Sequence, residues 1–143
     1  MTEVKDTAAR FVSAFNAHDE RALNALHADN IKFDAPGGFQ ATNAHEATAY
    51  AMRWLKGFPN GKLTVRSEIV SAPWIAQEVV MEGTNTGPLE GPMGTVQPTN
   101  HKVISKGVQI FRIENGKIAE TRLYFDLLDQ MTQLGLVPAP ATV

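Results

Sequence analysis

Between residues 102 and 134 apolar and polar positions alternate in two long runs, KVISKGVQIFRIE and KIAETRLYF. Asn115-Gly116 separates them, and a short stripe at helical spacing follows. Asn-Gly between apolar-rich runs predicts a tight β-hairpin, because both residues tolerate the positive φ of a type I′ turn. A two-residue loop sets Glu114 opposite Lys117. An uninterrupted ladder then sets Tyr124 opposite Gly107, Arg122 opposite Gln109 and Asp126 opposite Ser105. Alternation places Glu120, Arg122, Tyr124 and Asp126 on one face with Ser105, Gly107, Gln109 and Phe111. The other face takes Ala119, Leu123, Phe125, Val108 and Ile110. A carboxylate, a guanidinium, a phenol and an amide on one face of an otherwise apolar hairpin predict the floor of a pocket.

Upstream, Val4, Ala8, Phe11, Val12 and Phe15 recur at helical spacing after Thr2, a capping residue. The stripe breaks at Asn16-Ala17-His18, and Asp19 caps a second, shorter helix with Ala22, Leu23 and Leu26 turned inward. Residues 30–34 read as a short strand with Ile31 and Phe33 on one side, ended by Pro36-Gly37-Gly38. Asn43 opens a third helix, with Glu46 three residues on in a reciprocal capping arrangement. Its inner stripe is Ala47, Tyr50, Ala51, Trp54, Leu55 and Phe58, and Phe58-Pro59-Asn60-Gly61 stops it. Residues 63–72 and 74–84 read as strands interrupted by Pro73. Residues 85–100, rich in Gly and Pro, read as a long loop, which in a compact domain points to a cover over a pocket mouth. Leu127, Met131 and Leu134 mark a final helix that Gly135 caps.

Helices first and long strands after them predict an α+β domain. Three N-terminal helices close the concave face of a cone-shaped, curved mixed or antiparallel sheet, and a short C-terminal helix ends it. The length suits one domain over residues 1–136, with a Pro/Ala-rich tail at 137–143.

A net charge of −2 without a Lys/Arg cluster argues against a nucleic-acid partner. No cysteine is present, which removes disulfides, thiolate catalysis and thiolate-held metal. No run approaches a membrane span and the first residues lack an apolar leader, so a cytoplasmic protein is expected. His18, His27 and His45 have no carboxylate or histidine at ligand spacing, so no metal site is expected. GPLEGPMG lacks the strand-Gly-helix context and the Lys-Ser/Thr of a phosphate cradle.

The end pieces ARFVSAFNAHDERALNALHADNIKFDAPGG and GVQIFRIENGKIAETRLYFDLLDQMTQLGLVP are similar to the nuclear transport factor 2-like, ketosteroid-isomerase-like superfamily. GTNTGPLEGPMGTVQPTNHKVISKGVQIFRIENGKIAETRLYFD resembles the SnoaL-like polyketide cyclases and predicted ester cyclases. The resemblance spans nearly the whole chain, and its fold is informative where its chemistry is not, since one cone hosts enzymes, binders and structural modules. In ketosteroid isomerases the first helix carries a Tyr oxyanion donor and the first strand an Asp just before a Pro; here those positions hold Phe11 and Ala35, with Asp34 one residue early. Limonene-epoxide-hydrolase-like enzymes need an Arg-x-Asp that QEVVMEG does not supply. SnoaL-like cyclases use an Asp at the end of the last strand as acid/base, and Asp126 matches it. Their usual aromatic two residues earlier is Tyr124, while Arg122 replaces the usual Trp.

Each candidate has two readings. Asp126 among Tyr124, Trp54 and Phe side chains would be partly desolvated, which raises a carboxylate toward a working general base; it also suits the N-cap of the last helix. Arg122 either steadies an enolate or pairs with Glu120, Glu78 or Glu82. Tyr124 is an oxyanion donor or packing, and Gln109 an orienting amide or a satisfied core residue. Asp34 is a second carboxylate completing an acid/base couple with Asp126, or the end of a strand before a turn. Trp54 and Tyr50 face inward, with Trp54 better placed to touch a ligand, and Phe11 lines the same space. The resemblance implies cofactor-free enolate chemistry, cyclisation or isomerisation, on a hydrophobic polyketide- or steroid-like small molecule. The alternatives are a binding module without turnover, and a hydrolase or dehydratase using Asp34 with Asp126. The apolar back face of the hairpin implies a homodimer.

Overall fold

The computed structural model describes residues 2–91 and 94–138. The chain runs α1 (Thr2–Asn16), α2 (Glu20–Leu26), β1 (His27–Ala35), β2 (Phe39–Ala41), α3 (Ala44–Gly57), β3 (Lys62–Ser71) and β4 (Trp74–Thr84). It continues through β5 (Leu89–Gly91), β6 (Gly94–Val96), β7 (Lys102–Glu114), β8 (Lys117–Phe125) and α4 (Leu127–Gln133). Most of the tail at 137–143 lies outside the described residues.

The caps expected at Asp19, Asn43 and Gly135 form, whereas Thr2 is itself the first residue of α1. Asp19 accepts the Ala22 N–H at 3.0 Å. Asn43 Oδ1 accepts from Glu46 N at 2.9 Å, and Glu46 Oε1 in return accepts from Asn43 Nδ2 and from the Thr42 N–H. Each such cap contributes about 1 kcal/mol. At the far end Gly135, at φ +78°, closes α4, and the Leu136 N–H returns to the Met131 carbonyl.

Six strands form one mixed sheet in the order β2-β1-β8-β7-β4-β3, with β1 parallel to β8 and every other pair antiparallel. Register shifts in β3–β4 and β7–β8 break the flat ladder, and such irregularities bend a sheet. The helices fill the hollow. Phe15, Leu23, Trp54 and Leu55 pack with Leu63, Val79 and Met81 in one buried cluster. Val4 and Ala8 pack with Ile31, Ile75, Phe111 and Ile118 in a second. The α+β architecture expected from the sequence is the one observed.

Three details differ. The first strand begins at His27 rather than Asn30, and it gains a short antiparallel neighbour, β2, beyond Gly38. Residues 85–100 are not all loop, since β5 and β6 pair within them. The third difference matters most. Glu114 does face Lys117, but between them and Arg112–Glu120 the β8 strand takes in one extra residue at Ala119. Beyond the bulge Leu123 is paired with Gln109, Tyr124 with Val108 and Phe125 with Gly107. A one-residue slip turns every later side chain to the other face. Thr121, Leu123 and Phe125 therefore point into the cone, while Arg122 and Tyr124 lie on its convex side. The back face expected to expose Leu123 and Phe125 instead carries Val108, Ile110 and Tyr124, the last 57% exposed.

Candidate ligand-binding site in the concave face

Two adjoining spaces lie between the helices and the sheet. A small inner chamber of about 50 Å³ is walled by Phe11, Phe33, Phe111, Leu123 and other apolar side chains, with His27, Gln109 and Thr121 among them. An outer one of about 530 Å³ opens between the β1–β2 turn, α3, the β5–β6 hairpin and α4. Tyr50, Trp54 and Phe125 line both, and so form the partition between them. The inner chamber has room for only a few waters or one small functional group.

The inner walls carry polar atoms with nothing to bond. His27 Nε2, Trp54 Nε1 and Thr121 Oγ1 are all buried without a hydrogen-bond partner. Orphaned buried polar groups are rare because each costs on the order of 1–3 kcal/mol. His27, Trp54 and Thr121 all line the inner chamber, which makes it the candidate place for an occupant. Gln109 is oriented from behind: its Nε2 donates to Gln77 Oε1 at 2.9 Å, and Gln77 Nε2 donates to Glu68 Oε2 at 3.0 Å. A carboxylate only accepts, so Glu68 fixes the direction of both amides.

Electrostatics inside are those of a dry site. Burial pushes the His27 imidazole down to about 4, so it is neutral at neutral pH. Burial pushes the Tyr50 phenol up to about 12, against a smaller opposing effect of the Arg53 charge. Trp54 is stacked on Phe58 at 4.5 Å and fits only because residue 61 is glycine; a Cβ there would lie 2.5 Å from Trp54 Cζ3.

The described residues of the segment that the sequence marks as a long loop border the outer chamber. Asn85, fully buried, closes the root of that segment. Its Nδ2 donates to the Gly57 and Gly87 carbonyls, each at 2.9 Å, and its Oδ1 accepts from Thr99 N at 2.8 Å and Thr99 Oγ1 at 2.9 Å. Beyond that clasp Leu89, Glu90 and Val96 line the outer chamber, and Glu90 lies 3.6 Å from Arg53 on α3.

Among the residues singled out from sequence, Phe11, Tyr50, Trp54 and Gln109 line the chamber. Arg122, Tyr124, Asp34 and Asp126 do not. The Arg122 guanidinium lies over the Trp74 ring at 4.6 Å and donates to Glu120 at 2.8 Å on the convex side. Burial would raise Glu120, but hydrogen bonds and charges from Arg122 and Arg112 outweigh it and hold its carboxyl below the usual range. Asp34, exposed, accepts from Gln40 Nε2 at 3.1 Å. Asp126 is exposed and caps α4, its Oδ1 accepting from the Asp129 N–H at 2.9 Å. The two carboxylates expected to act as a couple thus both lie outside the chamber.

Sequence reasoning missed His27, Thr121 and Asn85. A register shift between His27 and Lys32, with Asp29 exposed, interrupts the alternation that marks Ile31 and Phe33, so no strand pattern in the sequence points to His27. Among the described residues no cluster of three or more His, Asp or Glu side chains is arranged to hold a metal ion, and no helix is long and apolar enough to cross a membrane.

The SnoaL-like polyketide cyclase family model matches residues 5–134. No curated protein matches the chain significantly. Among solved structures, a protein from Jannaschia sp. CCS1 proposed to be a SnoaL-like polyketide cyclase superposes with a TM-score of 0.83 at 21% identity, over 96% of this chain and 94% of that one. IdmH, a proposed polyketide cyclase from Streptomyces antibioticus, gives 0.76 at 24% identity, over 92% and 97%. AclR, a proposed hydroxylase from Streptomyces galilaeus, gives 0.83 at 23%, over 99% and 86%. At these identities the likeness is one of fold.

Proposed function

From the premise that the chain belongs to the SnoaL-like polyketide cyclase family, we propose that it is an enzyme acting on a hydrophobic, oxygenated small molecule of polyketide or steroid type by proton transfer at carbon next to a carbonyl. The enolate so formed would cyclise or isomerise. The observation that supports this reading is the inner chamber: an apolar enclosure whose His27, Trp54 and Thr121 polar atoms lack partners. The reacting head of the molecule would sit there, and its apolar remainder would fill the outer space under the β5–β6 hairpin. In a site that excludes water, fixed donors stabilise developing negative charge on oxygen far better than they do in solution.

A second reading, a binding module without turnover, is favoured by one specific feature. No carboxylate lines the inner chamber, and its buried imidazole is a weak base. The experiment that separates the two is deuterium exchange. A hydrophobic β-diketone or enone is incubated with the protein in heavy water, and exchange at the carbon next to the carbonyl is followed by mass spectrometry. Protein-dependent exchange supports the enzyme. Binding, read by tryptophan fluorescence in a Trp74→Phe background that leaves Trp54 as the sole indole, without exchange supports the module. No binding of any such compound sinks both.

The convex face, with Val108, Ile110 and exposed Tyr124, is where we place a second copy of the chain. Sedimentation of Tyr124→Glu against the wild type tests it: a dimer that becomes a monomer supports the placement, and two identical monomers sink it.

A further inference from the structure

His27 stands between two regions of different character. Its side chain belongs to the wall of the inner chamber and is only 2% exposed. Nε2 is buried without a partner, whereas Nδ1 lies 3.1 Å from Thr48 Oγ1 on α3. Thr48 is equally buried, yet it also borders a polar cleft on the outside of the molecule, between α2 and the start of α3. Glu20, Arg21, Asn24, Asp29 and His45 line that cleft, and all are exposed. The cleft shares no lining residue with either chamber.

A threonine hydroxyl both donates and accepts, so it can take one proton and release another without becoming charged. Besides the ring, Thr48 Oγ1 faces two acceptors: the Ala44 carbonyl oxygen at 2.8 Å and Asn24 Oδ1 at 3.3 Å. Asn24 lies on the cleft side, so a hydroxyl hydrogen turned from Nδ1 to Asn24 moves from the buried ring toward solvent. In one pass the Nδ1–H bond breaks and an O–H bond forms on Thr48, while the former Thr48 proton leaves to water in the cleft. The reverse pass reloads the ring, and nothing is oxidised or reduced. Either ring tautomer can start, because the hydroxyl accepts from a protonated Nδ1 and donates to a bare one. An added proton does not stay on the ring, since burial pushes the imidazole down to about 4.

We infer that Thr48 is a proton relay joining the buried His27 ring to solvent at the α2–α3 cleft. A proton taken up by the ring while a ligand fills the chambers then has a way out that passes through neither of them. That use in turnover rests on the proposed function. The relay itself is measured without a ligand, so the two can fail separately.

The test is exchange of the His27 ring N–H with water in the ligand-free protein at neutral pH. Nitrogen-edited magnetisation transfer follows it, and loss of the signal in His27→Gln identifies it. The Ile31 backbone amide on the same strand reports general opening of the fold, and ring rates are read relative to it. Thr48→Val keeps the side-chain shape without the hydroxyl and is expected to slow ring exchange by about tenfold or more. Thr48→Ser is expected to return the rate to within about threefold of wild type. A ring signal invisible in the wild type that appears in Thr48→Val counts as the expected slowing. A relative rate that is unchanged or raised in Thr48→Val, or still slow in Thr48→Ser, overturns the relay and leaves the small-molecule site standing. Slowed ring exchange with undiminished deuterium exchange of the diketone overturns its part in turnover. A wild type that exchanges no diketone deuterium sinks the proposed function, and the ring rates still decide the relay.

Discussion

Leu123 is paired directly with Gln109 across the β7–β8 ladder, where an unbroken hairpin would have put Arg122. The Ala119 bulge makes this so, and it decides which side chains of β8 face the chamber. Leu123→Asp is therefore expected to bury a charge in the chamber wall, at a cost of more than about 3 kcal/mol in urea unfolding. Arg122→Ala, which alters only the convex network with Glu120 and Trp74, is expected to cost less than about 1 kcal/mol. The reverse order would mean the ladder has no bulge.

Asp126 gives a sharper contrast because asparagine caps helices as well as aspartate does. Asp126→Asn is expected to leave unfolding free energy and deuterium exchange within about twofold of wild type, while Asp126→Ala loses about 1 kcal/mol through the missing bond to the Asp129 N–H. A loss of exchange by a hundredfold in Asp126→Asn, with the fold intact, would restore it as the base.

Acid should weaken the fold through His27. An unfolded chain protonates this imidazole near 6.5, whereas the folded chain does not until about 4. Between those values the unfolded state holds more protons, so stability is full above about pH 6.5 and declines as pH falls toward 4. By pH 4.5 the loss from this one group is about 2–3 kcal/mol. His27→Gln cannot titrate there. Urea unfolding of both proteins at pH 7.5 and 4.5 should show the wild type losing more than the variant by about that amount, and equal losses would mean the ring is protonated inside the fold.

Gly61→Ala tests the clamp on Trp54. The added methyl would meet the indole Cζ3 at 2.5 Å and the Phe58 carbonyl oxygen at 2.8 Å. Overpacking of this kind costs about 1–3 kcal/mol. In a Trp74→Phe background Trp54 emission should shift, whereas an unchanged spectrum would show that the ring has room to spare.

Helical periodicity, caps and the Asn-Gly turn carried nearly all of the architecture, because each is a local property of a few adjacent residues. Tyr50, Trp54, Phe11 and Gln109 were found in the same way, since each lies on an element whose phase was right. Arg122 and Tyr124 were misplaced because an extra residue in a strand has no composition of its own; Ala119 looks like any other strand alanine. His27 went unrecognised as a chamber residue because its partner, Thr48, is far along the chain on a different element. Distant pairings of this kind follow from packing, and no local pattern announces them.

Asn85→Ala removes the clasp at the root of the segment bordering the outer chamber. Four bonds to Gly57, Gly87 and Thr99 are lost; the Gly57 carbonyl keeps the Gly87 N–H at 3.3 Å, but the Gly87 carbonyl and the Thr99 N–H lose their side-chain partner, at about 2–4 kcal/mol. Hydrogen exchange at residues 89–91 and 94–96 should rise well before that of β7 or β8; uniform protection would show the hairpin is held elsewhere.

That clasp also sets a limit on what evolution or an engineer must keep. With the root tied by Asn85, through its side chain and through backbone bonds with His101 and Asn100, the β5–β6 hairpin beyond it pairs only with itself and with no strand of the six-stranded sheet. If the proposed function holds, ligand preference is thus most readily altered at positions 90–91 and 94–96, with Leu89 kept because it packs on the core.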